Sequence, residues 1–192
     1  ASRTGGLETR GYYGAGYDGR HVYFVPFNDG RSFHGRVLRY DTQGEFAAAT
    51  SWSAHDVATT DGLRTVGYKG AVCDGRYMYF VPFRSDDGCH GRVLRYDTRG
   101  GFGNTASWSA YDAGRTGGLD TRSYVGAEFD GRYLYFIPYS GDGNIFHARM
   151  LRYDTTGDFQ AAASWSAFNA EAVGGLTTRG YKFSASDGKY IY

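Results

Sequence analysis

Apolar positions along this chain fall into short runs closed by turn residues. Tyr12 to Tyr17 mixes aromatic and small residues and stops at Asp18-Gly19-Arg20, a turn by residue type. Val22-Tyr23-Phe24-Val25 follows, apolar on both alternating faces as a strand covered on both sides should be, and Pro26 ends it by removing a ladder donor. After a Gly-rich loop, Arg36-Val37-Leu38-Arg39-Tyr40 has strand composition and runs into the turn Asp41-Thr42-Gln43-Gly44. Ser51-Trp52-Ser53-Ala54 is short and half polar, as an outer edge strand should be. The pattern predicts four strands and no helix.

The whole unit then recurs. Gly-Tyr-Tyr-Gly-Ala at Gly11 returns as Gly-Tyr-Lys-Gly-Ala at Gly67, Ser-Tyr-Val-Gly-Ala at Ser123 and Gly-Tyr-Lys-Phe-Ser at Gly180, at spacings of 56, 56 and 57 residues. Asp18-Gly19-Arg20 returns as Asp74-Gly75-Arg76 and Asp130-Gly131-Arg132, and Trp52 as Trp108 and Trp165. The repeats run over 11–66, 67–122 and 123–179, with a partial copy at 180–192. The one extra residue of the third copy falls between Pro138 and His147, which marks a tolerant loop.

Four strands with apolar faces cannot bury both faces alone, but copies stacked radially bury them and protect most edges. The expected fold is therefore all-β, a β-propeller of four-stranded antiparallel blades, with residues 1–192 forming one propeller region and an incomplete ring. The glycines and alanines at Gly14-Ala15, Gly70-Ala71 and Gly126-Ala127 suit innermost strands crowded around an axis. A β-helix is the rival, but its rungs are usually much shorter than this repeat. The last copy stops in the middle of its second strand, so further blades are expected from a longer parent chain or from other subunits.

The order of Asp-Gly-Arg turn, Tyr-Phe-Val strand, Val-Leu-Arg-Tyr-Asp-Thr and a Trp on the last strand resembles the kelch repeat and related bacterial propeller repeats across nearly the whole chain. Kelch blades carry a Gly-Gly pair after the second strand, whereas here the positions read Val25-Pro26-Phe27, Val81-Pro82-Phe83 and Ile137-Pro138-Tyr139. The resemblance implies the blade and its strand order, not a binding partner.

Composition and charge narrow the partners. There are 30 Gly, 18 Tyr and 13 Phe against 3 Pro, which suits aromatic strands joined by Gly turns. With 21 Lys+Arg set against 20 Asp+Glu, there is no basic excess to hold a polyanionic backbone, so neither nucleic acid nor an anionic membrane is expected as partner. Apolar stretches such as Val22 to Phe27 fall far short of the roughly 20 residues a spanning helix needs, so no membrane insertion is expected.

Candidate chemistry gathers in the loops between second and third strands. His34, His90 and His147 recur there, and three imidazoles would bind a metal only if they converged on the axis. The simpler reading is a donor that satisfies loop backbone in every copy, so no metal and no other cofactor is expected. The same loops hold Asp29, Asp87 and Asp142 beside glycines, as turn formers first and as ligand groups second. Because these loops vary while their flanking strands barely change, those six residues are the candidate ligand contacts. The repeated Arg and Asp of Arg39-Tyr40-Asp41 are expected to make one structural bond set per blade, since catalysis needs an asymmetric constellation.

Cys73 stands where the other complete copies have Tyr17 and Phe129, and Cys89 where they have Phe33 and Phe146. Two aromatic positions replaced together imply a disulfide across the blade in place of a ring pair, and with it an oxidising, extracellular or cell-surface location. The leading expectation is a non-enzymatic binding or scaffold module that meets a glycan or a protein through its loop face. A propeller glycoside hydrolase fragment is the alternative, for which Glu128 is a non-repeating acid on an inner strand, and a purely structural component of an assembly is a third.

Overall fold

Each repeat folds into one sheet whose strands are hydrogen-bonded in chain order. The computed structural model describes residues 3–187 and 190–192. The first blade holds β1 (Tyr12–Tyr17), β2 (His21–Pro26), β3 (Arg36–Asp41) and β4 (Trp52–Asp56). The second holds β5 (Tyr68–Cys73), β6 (Tyr77–Pro82), β7 (Arg92–Asp97) and β8 (Trp108–Asp112). The third holds β9 (Tyr124–Phe129), β10 (Tyr133–Pro138), β11 (Arg149–Asp154) and β12 (Trp165–Asn169). All pairings are antiparallel, so the protein is an all-β, blade-based propeller fragment. Among the described residues, helical geometry is confined to three-residue 3-10 turns, such as Thr105–Ser107 before β8.

The Asp-Gly-Arg turn sets the register of each blade. The Asp18 carboxylate accepts the backbone N–H of Arg20 at 2.8 Å and of His21 at 2.6 Å, and its other oxygen accepts the Tyr23 hydroxyl at 2.6 Å. Arg20 reaches across to Asp41 at the end of β3 with both Nε and Nη2. Arg76 with Asp97 and Arg132 with Asp154 repeat the pair at 2.7 Å. The recurring Arg and Asp therefore tie the turn to the third strand in every blade.

Blades meet through two kinds of surface. At the axis the first strands pack side by side: a Cβ on Gly14 would lie 3.3 Å from the Lys69 carbonyl, and one on Gly70 3.3 Å from that of Val125. Farther out, Tyr23 of the first blade lies over Tyr96 at 5.8 Å and Phe102 at 6.2 Å in the second, and Tyr79 lies over Tyr153 and Phe159 in the third at 5.9 and 6.2 Å. The Trp that opens each fourth strand stacks on the next-to-last residue of the third, a Tyr, at 4.5 Å for Tyr96 and Trp108. Trp108 also donates Nε1–H to the Phe102 carbonyl at 3.0 Å.

Burial of the second strand follows from this stacking. Met78, Tyr79, Phe80 and Val81 are all buried, because the middle blade is covered on both faces. Of the run from Val22 to Val25 in the first blade only Tyr23 and Val25 are buried, against the expectation for the whole run. Phe24 is half-buried because its face lines an open hollow of ≈ 620 Å³ with Leu38, Phe46 and Trp52.

Cys73 and Cys89 are both free thiols, which corrects the expected disulfide. Cys73 pairs with Met78 beside the Asp74 turn, whereas Cys89 pairs with Arg84 beyond the opposite end of β6. At ~3.3 Å per residue the length of β6 keeps them more than ~10 Å apart, beyond the ~7 Å limit for a bridge. The expected ring contacts fail for the same reason. Phe33 packs on Phe27 at 5.2 Å and Phe146 on Tyr139 at 5.3 Å, while Tyr17 sits at the far end and donates its hydroxyl to Gly19. The argument for an oxidising compartment falls with the bridge.

Candidate functional site

The loop histidines are fastened into the framework. His34 is buried, its Nδ1 accepting the Arg36 N–H at 3.2 Å and its Nε2 lying 3.1 Å from the Gly11 carbonyl. His90 makes the same pair of bonds with Arg92 and Val66, and His147 with Arg149 and Arg122. Each imidazole thus ties the entry of the third strand to the segment leading into the first. Burial, then the neighbouring arginine, holds all three rings toward the neutral form, with His90 lowered to about 3. Both ring nitrogens are engaged, so none of the three faces a ligand.

The loop carboxylates are also occupied. Asp29 pairs with Arg36 at 2.7 Å and accepts the N–H groups of Arg31 and Ser32, and Arg36 first among these holds its carboxyl well below the usual range. Asp87 pairs with Arg64. Asp142 accepts the Cys89 N–H at 2.8 Å across the blade boundary and pairs with Arg122 at 3.1 Å. Asp86, rather than Asp87, is its counterpart, because Asp86 accepts the Phe33 N–H of the preceding blade in the same manner. Of the expected contacts, these three acids join neighbouring segments and loops.

What remains open on this end of the propeller lies nearer the axis. Lys69, second residue of β5, holds its ammonium 3.9 Å from the ring centroid of Phe83, 4.8 Å from Tyr13, and 5.7 Å from both Phe27 and Tyr139. Tyr13 is the second residue of β1, and the other three rings directly follow the prolines that end β2, β6 and β10. One mouth therefore draws on all three blades. Tyr13 and Phe27 lie 5.5 Å apart with tilted rings, and Tyr13 is 49% exposed. Lys182, at the matching position of the partial fourth repeat, lies 5.9 Å from Tyr139. Burial, and next the charge of Lys182, lowers the pKa of Lys69. Ion pairs on this face use arginines, and among the described residues neither lysine takes part in one.

The arrangement offers tilted aromatic planes beside two unpaired cations. It contains no His, Cys, Asp or Glu cluster suited to a metal, and none of three or more such residues occurs among the described residues. Glu128 accepts a hydrogen bond from Ser184 at 2.8 Å, which ties the third blade to the fourth copy. The sequence carried a signal for the mouth: the residue after the recurring Tyr reads Tyr13, Lys69, Val125 and Lys182, a variable position inside a constant frame.

No protein-family model matches this chain, and no curated protein does. Among solved structures, the chain is similar to one titled "Structure of apo AztD from Citrobacter koseri", at 12% identity and a TM-score of 0.44. The match covers 78% of this chain and 32% of that one, so this chain spans about a third of that protein's length.

Proposed function

We propose that this chain is a non-enzymatic binding module that takes a glycan at the axial mouth of its loop face. The observation that carries the reading is the convergence of Tyr13, Phe27, Phe83 and Tyr139 from three blades around one unpaired cation. Aromatic faces offer a flat apolar surface at little conformational cost, which suits the C–H face of a pyranose, and the mouth is partly exposed. The recurring Arg–Asp pairs and the histidines serve the framework in every blade, which favours binding over catalysis.

The open face of the first blade has a separate role in this reading. Its Phe46 is 71% exposed, whereas the equivalent Phe102 and Phe159 are 6% and 1% exposed beneath the Tyr23 and Tyr79 faces of the blades before them. That face takes a further blade of the same kind, whether from a longer chain or from another subunit. The glycan reading is tested by screening the protein on a glycan array and repeating the screen with Tyr13→Ala. Retained folding with loss of the positive glycans supports it, and an array without binding removes it.

A further inference from the structure

We infer that the ligand of the axial mouth is an acidic sugar, its carboxylate seated at the Lys69 and Lys182 ammoniums while its ring lies on Tyr13 and Phe27. This inference rests on the glycan reading above and adds the charge that reading leaves open.

Three observations converge on a carboxylate. Lys69 is half-buried, and its ammonium is met by aromatic faces rather than by an acid. Cation–π contact with four rings offsets part of its lost hydration, but rings accept no strong hydrogen bond, so the three N–H donors have no protein acceptor among the described residues. Lys182 shares the Tyr139 ring with Lys69, so two like charges approach one another with no carboxylate between them among the described residues. An anion placed there removes the repulsion and gives the donors a charged acceptor. A charge-assisted bond of this kind is roughly twice as strong as a neutral one, and partial burial weakens its screening by salt.

The surroundings select the anion's carrier. A small inorganic anion would leave the exposed Tyr13 ring and the Phe27 ring beside it in water, whereas a hexuronic acid covers them with its apolar face and directs its carboxylate to the cations. Arg36, Arg64 and Arg122 do not compete for that carboxylate, because Asp29, Asp86, Asp87 and Asp142 already pair with them.

The test is calorimetric titration of the protein with a galacturonic acid oligomer and with the galactose oligomer made by reducing its carboxyls, for the wild type, Lys69→Gln and Tyr13→Ala. Lys69→Gln should cut the preference for the acidic oligomer over the neutral one by about tenfold or more, and Tyr13→Ala should weaken both. Far-UV circular dichroism and an unchanged urea midpoint establish that the Lys69 variant is folded. Equal affinity for the two oligomers, or an acidic oligomer indifferent to Lys69→Gln, overturns the acidic-sugar inference while the glycan reading stands. Binding of neither oligomer alongside neutral glycans bound on the array overturns the inference alone, and binding of no glycan at all overturns both.

Discussion

The guanidinium of Arg39 in the first blade lies 4.2 Å over the ring of Phe102 in the second. Arg95 stands over Phe159 in the next pair at 4.1 Å. The same contact built twice makes the blade boundary, rather than the interior of a single sheet, the place where the large aromatic side chains are buried.

Truncating those rings should therefore cost unequal amounts at equivalent positions. Phe102→Ala and Phe159→Ala should each destabilise by about 3–5 kcal/mol, since both rings are buried beneath a neighbouring blade. Phe46→Ala, at the matching but exposed position, should cost less than about 1 kcal/mol. Urea titration of the three variants decides this, and equal losses would show that blade stacking is not the source of the burial.

The histidines predict a loss of stability in acid. Their folded pKa values lie below the ordinary value of 6.5, so the unfolded chain binds the proton first and stability falls as pH drops below about 6.5. For His90, lowered to about 3, the loss continues down to that value. Between pH 6.5 and 5 this one ring should account for about 2 kcal/mol, from ~1.4 kcal/mol per pH unit. Urea midpoints across that range give the slope, and NMR titration of the imidazoles checks its source. A His90 ring that protonates near 6.5 in the folded protein would remove this explanation.

Ser123 occupies the left-handed position that Gly11, Gly67 and Gly180 fill in the other copies, with φ of 71°. A left-handed residue with a Cβ carries a strain of roughly 1–2 kcal/mol, while glycine loses roughly 0.5–1 kcal/mol more chain entropy on folding. Ser123→Gly should therefore raise stability slightly, by about 0.5–1 kcal/mol, read as a higher melting midpoint. A clear loss would mean that the buried serine contributes packing that outweighs the strain.

Both cysteines should behave as thiols. Alkylation of the urea-unfolded protein without prior reduction should add two groups by mass spectrometry, since both thiols are free. Addition of none would restore the bridge and the compartment argument built on it.

The strands, their turns and the blade as a unit were legible in the chain, because each depends on neighbours in sequence. Pro26 can end β2, and the Asp18 carboxylate can cap the N–H groups of Arg20 and His21, wherever the blade is placed. The stacked copies followed as well, since a sheet apolar on both faces requires cover and the repeat supplies it. Other features depended on where distant residues arrive in space. Cys73 and Cys89 change together in the chain, yet the register with Met78 and Arg84 puts them at opposite ends of β6. The loop histidines bond backbone, as their recurrence beside glycine or alanine in every copy suggested, whereas the arginine partners of Asp87 and Asp142 come from segments that only the fold brings near. The mouth around Lys69 joins rings from three blades whose inner strands approach closely at Gly14 and Gly70. Local hydrogen bonding and side-chain alternation are encoded over a few residues, whereas the meeting of side chains at an axis is set by how whole blades pack.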